Sequence, residues 1–197
     1  MRGGYTLAAI GVTGHRFLAD QEMITSGVDA ALRRIEQAFP HGPLTVISPL
    51  AEGADRLMAH RILARPGAQL IVPLPLPQSD YMADFGSTTS REEFSHLLAR
   101  ADEVIVLPPV SNRDQAYAAV GRYVLDHSDV LIAIWDGKPA QGVAGTSEIV
   151  ALARGRGLPL AWIHAGNRLP GTDIPTSLGP EQGKVTYEYL PRPGRST

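Results

Sequence analysis

LTVISPLAEGADRLMAH, residues 44–60, changes character halfway along. Leu44–Ile47 is an apolar, partly β-branched run suited to a buried strand, Ser48-Pro49 stops it, and Ala54–Leu63 reads as a helix closed by Arg65-Pro66-Gly67. A strand feeding a helix across a short polar loop is the unit of a parallel α/β sheet, which keeps its ligands in the loops beyond the strands' carboxyl ends. Ser48, Glu52, Gly53 and Asp55 fall in that loop and first helical turn. Ser48, Gly53 and the helix start offer hydroxyl and amide donors to an anion, and Glu52 and Asp55 can accept from ribose or sugar hydroxyls. Acids in a first turn are also favoured by the helix dipole alone, and Arg56 can pair with Glu52.

The same alternation extends in both directions. Leu7–Val12 is a strand ending in Thr13-Gly14-His15-Arg16, and Ile24, Val28, Ala31, Leu32, Ile35 and Phe39 form the stripe of an amphipathic helix over Asp20–Phe39. Pro40-His41-Gly42-Pro43 stops that helix. Downstream, strands are expected at Ala68–Leu74, Glu103–Leu107, Val130–Trp135 and Leu158–Ile163. Helices are expected around Arg91–Ala101, from a Ser111 or Asn112 cap to about His127, and from Thr146 or Ser147 to Gly155. Val130–Trp135 is almost wholly apolar and is expected to be central. The pattern predicts an α/β fold: a three-layer, Rossmann-like domain with a mainly parallel sheet of six to seven strands, apolar on both faces and covered by helices. Right-handed crossovers then gather the polar loops at one edge.

Length and composition bound the rest. The 197 residues suit one domain, with a core over residues 5–165 and an irregular Pro- and Gly-rich extension over 166–197 that holds one strand-like island, Val185–Leu190. Hydrophobic residues make up 44% and charged residues 19%, as in ordinary globular domains. The formal charge of −2 supplies no global field for nucleic acid or anionic membrane. Cysteine is absent, which removes disulfides, thiolate metal sites and cysteine nucleophiles. His60, His96, His127 and His164 lack metal spacing and read as structural or surface residues, so neither metal nor cofactor is expected. The apolar start is too short for a signal sequence, and no run has membrane-spanning length, so a cytoplasmic protein is expected.

Two further loops carry chemistry. Gly11-Val12-Thr13-Gly14-His15-Arg16 places glycines after the first strand, where backbone can approach a bound group, with His15 or Arg16 meeting phosphate. A dinucleotide GxGxxG would need glycine at position 16, where Arg stands. Trp135-Asp136-Gly137-Lys138 is followed by Gly142-Val143-Ala144-Gly145-Thr146-Ser147-Glu148, a glycine-bearing loop that opens a helix and forms a second anion cradle. Glu148 suits either a capping acid or a ligand contact. Tyr117 reads as core, or as a ring on which a base stacks.

Together these stretches resemble the SLOG superfamily, the Rossmann-like group joining the DNA-processing (DprA/Smf) proteins, the Lonely Guy (LOG) phosphoribohydrolases and the YpsA-type proteins. ISPLAEGADRLMAH is similar to the DNA-processing pattern through Ser48, Ala51, Gly53, Asp55 and His60, with Pro49 replacing a glycine and Glu52 standing where a basic residue is common. GVTGHR and DVLIAIWDGKPAQGVAGTSEIVALAR look like stand-alone SLOG proteins. The phosphoribohydrolases carry Gly-Gly-x-Gly-Thr-x-x-Glu, whereas here the acid, Glu148, comes one residue earlier and Ile149 takes its place. The resemblance implies a nucleotide-like ligand bound by Gly11, Thr13, Gly14, His15, Arg16, Ser48, Glu52, Gly53, Asp55, Gly142, Gly145 and Thr146, in a binding or sensing protein. The alternative is a nucleoside-monophosphate phosphoribohydrolase with Glu148 and Asp136 as catalytic acids. Single-stranded DNA binding comes third, disfavoured by the negative charge. Related folds often pair through surface helices, which makes a homodimer compatible with the reading.

Overall fold

The structure, a computed structural model, describes residues 8–40, 42–139 and 145–191. Strands β1 (Ala9–Gly14), β2 (Thr45–Ile47), β3 (Gln69–Leu74), β4 (Glu103–Val106), β5 (Val130–Trp135), β6 (Leu160–His164) and β7 (Val185–Glu188) form one sheet in the order β4-β3-β2-β1-β5-β6-β7. The first six are parallel and β7 runs antiparallel to β6. The helices are α1 (Gln21–Ala38), α2 (Ala54–Leu63), α3 (Gln78–Met82), α4 (Thr88–Leu98), α5 (Arg113–Asp126) and α6 (Thr146–Gly155). The expected Rossmann-like α/β architecture is the observed one.

Two cores lie on opposite faces of this sheet. Ile24, Val28 and Ile35 of α1, Met58 and Ile62 of α2, and Phe94 and Leu97 of α4 pack with Ile10, Val12, Val46, Leu70 and Val72. On the other face Leu125 of α5 and Ile149, Val150 and Ala153 of α6 meet Leu131, Ala133 and Trp135. Strand β5 therefore sends alternate residues into different cores, as the pleat requires, and all six of its residues are buried. The helices change faces because the chain first adds strands outward from β1 in one direction and then, after α5, in the other.

Several expectations shift. Thr13 and Gly14 belong to the first strand and not to a turn, because they pair with Ala133 and Ile134 of β5. The helix expected at Arg91–Ala101 starts three residues earlier and ends at Leu98, since the Ser87 hydroxyl accepts from the Ser90 amide and caps it. The short α3 was not anticipated. Strand β4 is not covered on both faces: it is an edge strand with Val104 and Val106 45% and 53% exposed. The strand-like island expected at Val185–Leu190 is β7, which completes the sheet, and its Glu188 forms a two-bond ion pair with Arg154 of α6 at 2.7 and 2.9 Å.

Of the two cap candidates for α5, Asn112 is the one used, its Oδ1 accepting from the Gln115 amide at 2.9 Å. Asn112→Ala is expected to cost about 1 kcal/mol, read as a lower urea midpoint with unchanged slope.

Candidate functional site

The sheet order reverses between β1 and β5, so the loops leaving their carboxyl ends diverge to opposite faces and leave a crevice between them. The two loops are clasped together at its floor. The His15 amide donates to the Ile134 carbonyl at 3.0 Å, and the Asp136 amide donates to His15 Nε2 at 3.1 Å. Asp136 Oδ1 lies 3.3 Å from that nitrogen and accepts from the Lys138 amide at 3.0 Å. Burial pushes the His15 imidazole below its ordinary pKa, and the neighbouring Asp136 carboxylate opposes this. The neutral ring, accepting at Nε2 and carrying its proton on Nδ1, suits the observed hydrogen bond.

The crevice encloses about 670 Å³, within the range of small-molecule sites. Gly14, His15 and Arg16 form one wall, Trp135, Asp136 and Lys138 the next, and Gly145 and Thr146 open α6 at its side. Phe17, Leu169, Pro170 and Leu178 add apolar surface. Among the described residues neither Arg16 nor Lys138 has a carboxylate partner, and the Arg16 guanidinium rests 5.9 Å from the Tyr117 ring centre.

Six of the residues picked from sequence therefore meet: Gly14, His15, Arg16, Asp136, Gly145 and Thr146. Others lie elsewhere. Gly11 is mid-strand, where an added Cβ would come within 2.4 Å of Ser128 Oγ and 2.9 Å of Val124, so its lack of a side chain makes room for the end of α5. Thr13 precedes the crevice within β1. Ser48, Gly53 and Asp55 form a layer behind the His15-Arg16 backbone, and the polar groups expected to face an anion are satisfied internally. Leu50 N donates to Ser48 Oγ at 3.2 Å, Ala51 N to Asp55 Oδ2 at 3.3 Å, and Ala54 N to the His15 carbonyl at 3.0 Å. Desolvation pushes the Asp55 carboxyl up to about 7, against the Ala51 amide, the Ser48 hydroxyl, Arg16 and Arg56. Glu148 sits in the first turn of α6 away from the crevice lining, with Oε1 3.9 Å from Arg122 Nη2 of α5. Gly142 lies outside the described residues.

Arg56 does not pair with Glu52. It is buried, with Nη1 donating to Glu93 at 2.9 Å and to the Ser90 carbonyl and hydroxyl at 2.8 Å, and Nε donating to the Leu50 carbonyl. Its guanidinium stacks 4.5 Å from the Phe85 ring centre. Glu52 instead accepts from the Ser90 hydroxyl. His60 is likewise engaged with Glu93, at 2.9 Å.

Two contributors escaped sequence reasoning. The segment after β6, from Asn167 to Gly171 and Thr176 to Leu178, walls the crevice, and the rule that ligand loops follow strand carboxyl ends would have flagged its start. The second is a hollow next to the crevice, over α2 and the beginning of α4, which includes Glu52, Asp84 and Ser90. Tyr81, Phe85 and Phe94 support its floor through edge-on and tilted ring pairs 5.0–5.7 Å apart. Among the described residues no group of three metal-ligating side chains occurs, and no helix is long and apolar enough to cross a membrane.

These features define a Rossmann-like α/β protein with a crevice at its topological switch point. Among solved structures the chain is similar to DNA processing protein A (DprA) from Streptococcus pneumoniae, with a TM-score of 0.54 and 17% sequence identity. The match covers 90% of this chain and 53% of that one, so the chain spans about half the length of its neighbour. At that identity the likeness establishes the shared fold, in agreement with the fold expected from the SLOG resemblance. No family model matches the sequence, and no curated protein matches it significantly.

Proposed function

We propose that this protein binds a nucleotide or nucleotide-derived ligand in the switch-point crevice and acts as a binding or sensing module. The observation that carries this reading is the meeting of Gly14–Arg16, Trp135–Lys138 and the α6 start around one hollow, lined by the cations Arg16 and Lys138, neither of which has an ion-pair partner within 4 Å among the described residues. Phosphate would lie near Arg16 and the opening turn of α6, and the base against Phe17 and Leu178. Glu148 directed at Arg122 favours binding over glycosidic cleavage, since a cleaving carboxylate must stand beside the anomeric carbon. Of the two acids, Asp136 alone lines the crevice. DNA binding draws support from the name of the structural neighbour, but the formal charge of −2 speaks against a basic groove.

Thermal melting with AMP, GMP, CMP and UMP tests the proposal. At a hundredfold excess over Kd, one of the four is expected to stabilise the fold by about 2.7 kcal/mol, raising Tm by roughly 5–10 °C. Arg16→Ala removes a charge-assisted contact and is expected to weaken that ligand tenfold or more. No shift with any monophosphate would sink the proposal. Release of free base that disappears in Asp136→Asn would replace it with the hydrolase reading, and salt-sensitive retention of a single-stranded oligonucleotide with the DNA reading.

A further inference from the structure

The crevice and the neighbouring hollow are not separate. Arg16, Phe17 and Arg168 line both, so the two meet along a shared ridge. The hollow is the larger, at about 1,090 Å³, and its chemistry differs from that of the crevice. It carries the carboxylates of Glu52, Asp84, Glu93 and Asp173 together with the hydroxyls of Ser87, Thr89 and Ser90. Two of its three arginines are already matched: Arg56 pairs with Glu93 at 2.9 Å and Arg168 with Asp173 at 2.9 Å. Arg16 has no such partner among the described residues.

This distribution sorts a ligand by its parts. Asp84 is matched by Arg113 at 3.1 Å and by the Tyr117 hydroxyl, whereas Glu52 has no cationic partner among the described residues, so a phosphate deep in the hollow would be repelled by Glu52. A neutral group rich in hydroxyls would instead donate to those carboxylates and exchange hydrogen bonds with Ser87 and Ser90. Negative charge is favoured on the ridge, beside Arg16. The apolar surfaces suited to a base, Leu169, Pro170 and Leu178, lie on the crevice side, and the Phe17 ring stands on the shared ridge.

We infer that the crevice and hollow together take one elongated ligand, a nucleoside diphosphate joined to a sugar, with the base in the crevice, the diphosphate across the ridge at Arg16 and the sugar in the hollow against Glu52 and Ser90. This rests on the nucleotide-binding reading of the crevice and names the class of nucleotide that the site selects. Tethering the sugar to the nucleotide lets the second lobe contribute without a second loss of translational freedom.

Calorimetric titration of the full chain with ADP-, GDP-, CDP- and UDP-glucose, each beside its own nucleoside monophosphate, tests the inference. One sugar nucleotide is expected to bind at least tenfold tighter than its monophosphate. Gly86→Phe, at the rim of the hollow where an added Cβ meets nothing within 4 Å, is expected to abolish that advantage and leave the monophosphate affinity as it was. Glu52→Gln is expected to reduce the advantage several-fold. If a monophosphate binds and all four sugar nucleotides bind no tighter, or the advantage survives Gly86→Phe, the two-lobed ligand is overturned while the crevice reading stands. If neither class binds, both are overturned.

Discussion

Replacing Gly53 by alanine is expected to lower the melting temperature by roughly 10 °C or more and to remove ligand binding with it. Gly53 is the residue before α2, at φ 80° and ψ −116°, a backbone conformation that side-chain-bearing residues avoid. An added Cβ would lie 2.4 Å from the carbonyl oxygens of both His15 and Arg16. Neither oxygen can step aside cheaply, because the His15 carbonyl accepts from the Ala54 amide and the His15 amide donates to β5. Backbone strain of about 1–3 kcal/mol and an overpacking cost of similar size add to about 3–5 kcal/mol, a large share of the stability of a domain. The clash also pushes Gly14–Arg16 out of the crevice wall. Gly86→Ala is the matched control: the new methyl meets no atom within 4 Å and should leave both melting and binding unchanged. A Gly53→Ala protein that melts within 2 °C of the parent would refute this account of how the loop is held.

That glycine shows how far the sequence can be read. The strand–loop–helix character of residues 44–60 was visible because the apolar run, the proline and the helical residues follow each other without interruption, and α2 begins and ends where the sequence places it. Strand β5 was equally plain from six consecutive apolar residues. The roles within the loop were less legible. Ser48, Gly53 and Asp55 have the residue types of a ligand loop, but their groups close on one another and on the β1 loop, a distinction that depends on spatial neighbours more than thirty positions away. The hollow was hidden for a similar reason. Part of its lining comes from Asp84, Gly86 and Ser87, in the segment after α3, a helix five residues long and too short to show a helical period, and part from an α4 start in which Thr88-Thr89-Ser90 has loop-like propensity until the Ser87 cap is seen. Arg168 belongs to a Pro- and Gly-rich stretch in which it bridges to Pro175 and pairs with Asp173, contacts that no hydrophobic period announces.

The buried Asp55 carboxyl makes stability fall as pH rises, and Asp55→Asn is expected to remove most of that fall. Asp55 is 5% exposed, and desolvation lifts its pKa from an ordinary 3.8 to about 7. Below pH 4 both folded and unfolded chains hold the proton, so the residue contributes no pH dependence there. Between 4 and 7 the unfolded chain gives up its proton while the folded chain keeps it, so unfolding releases a proton and each rise in pH favours the unfolded state. Above 7 the folded chain holds an ionised carboxylate, and the accumulated loss is on the order of 4 kcal/mol. The groups facing Asp55 are the Ala51 amide and Ser48 hydroxyl of its own loop, Arg16 from the β1 loop, Arg56 on α2 and Tyr81 on α3. The arginines oppose the shift without overcoming desolvation. His15 works in the other direction: its pKa is lowered by burial, so stability is lost as pH falls below its unfolded value of 6.5. The difference between parent and variant isolates Asp55 from this. In urea titrations at pH 5 and pH 8, the Asn variant, which keeps an acceptor for the Ala51 amide, should gain more over the parent at pH 8 than at pH 5, by about 2–3 kcal/mol. Equal differences at the two pH values would mean that Asp55 is ionised throughout, held by Arg16 and Arg56. The β1 loop would then be fastened to α2 by a buried ion pair and not by a protonated acid.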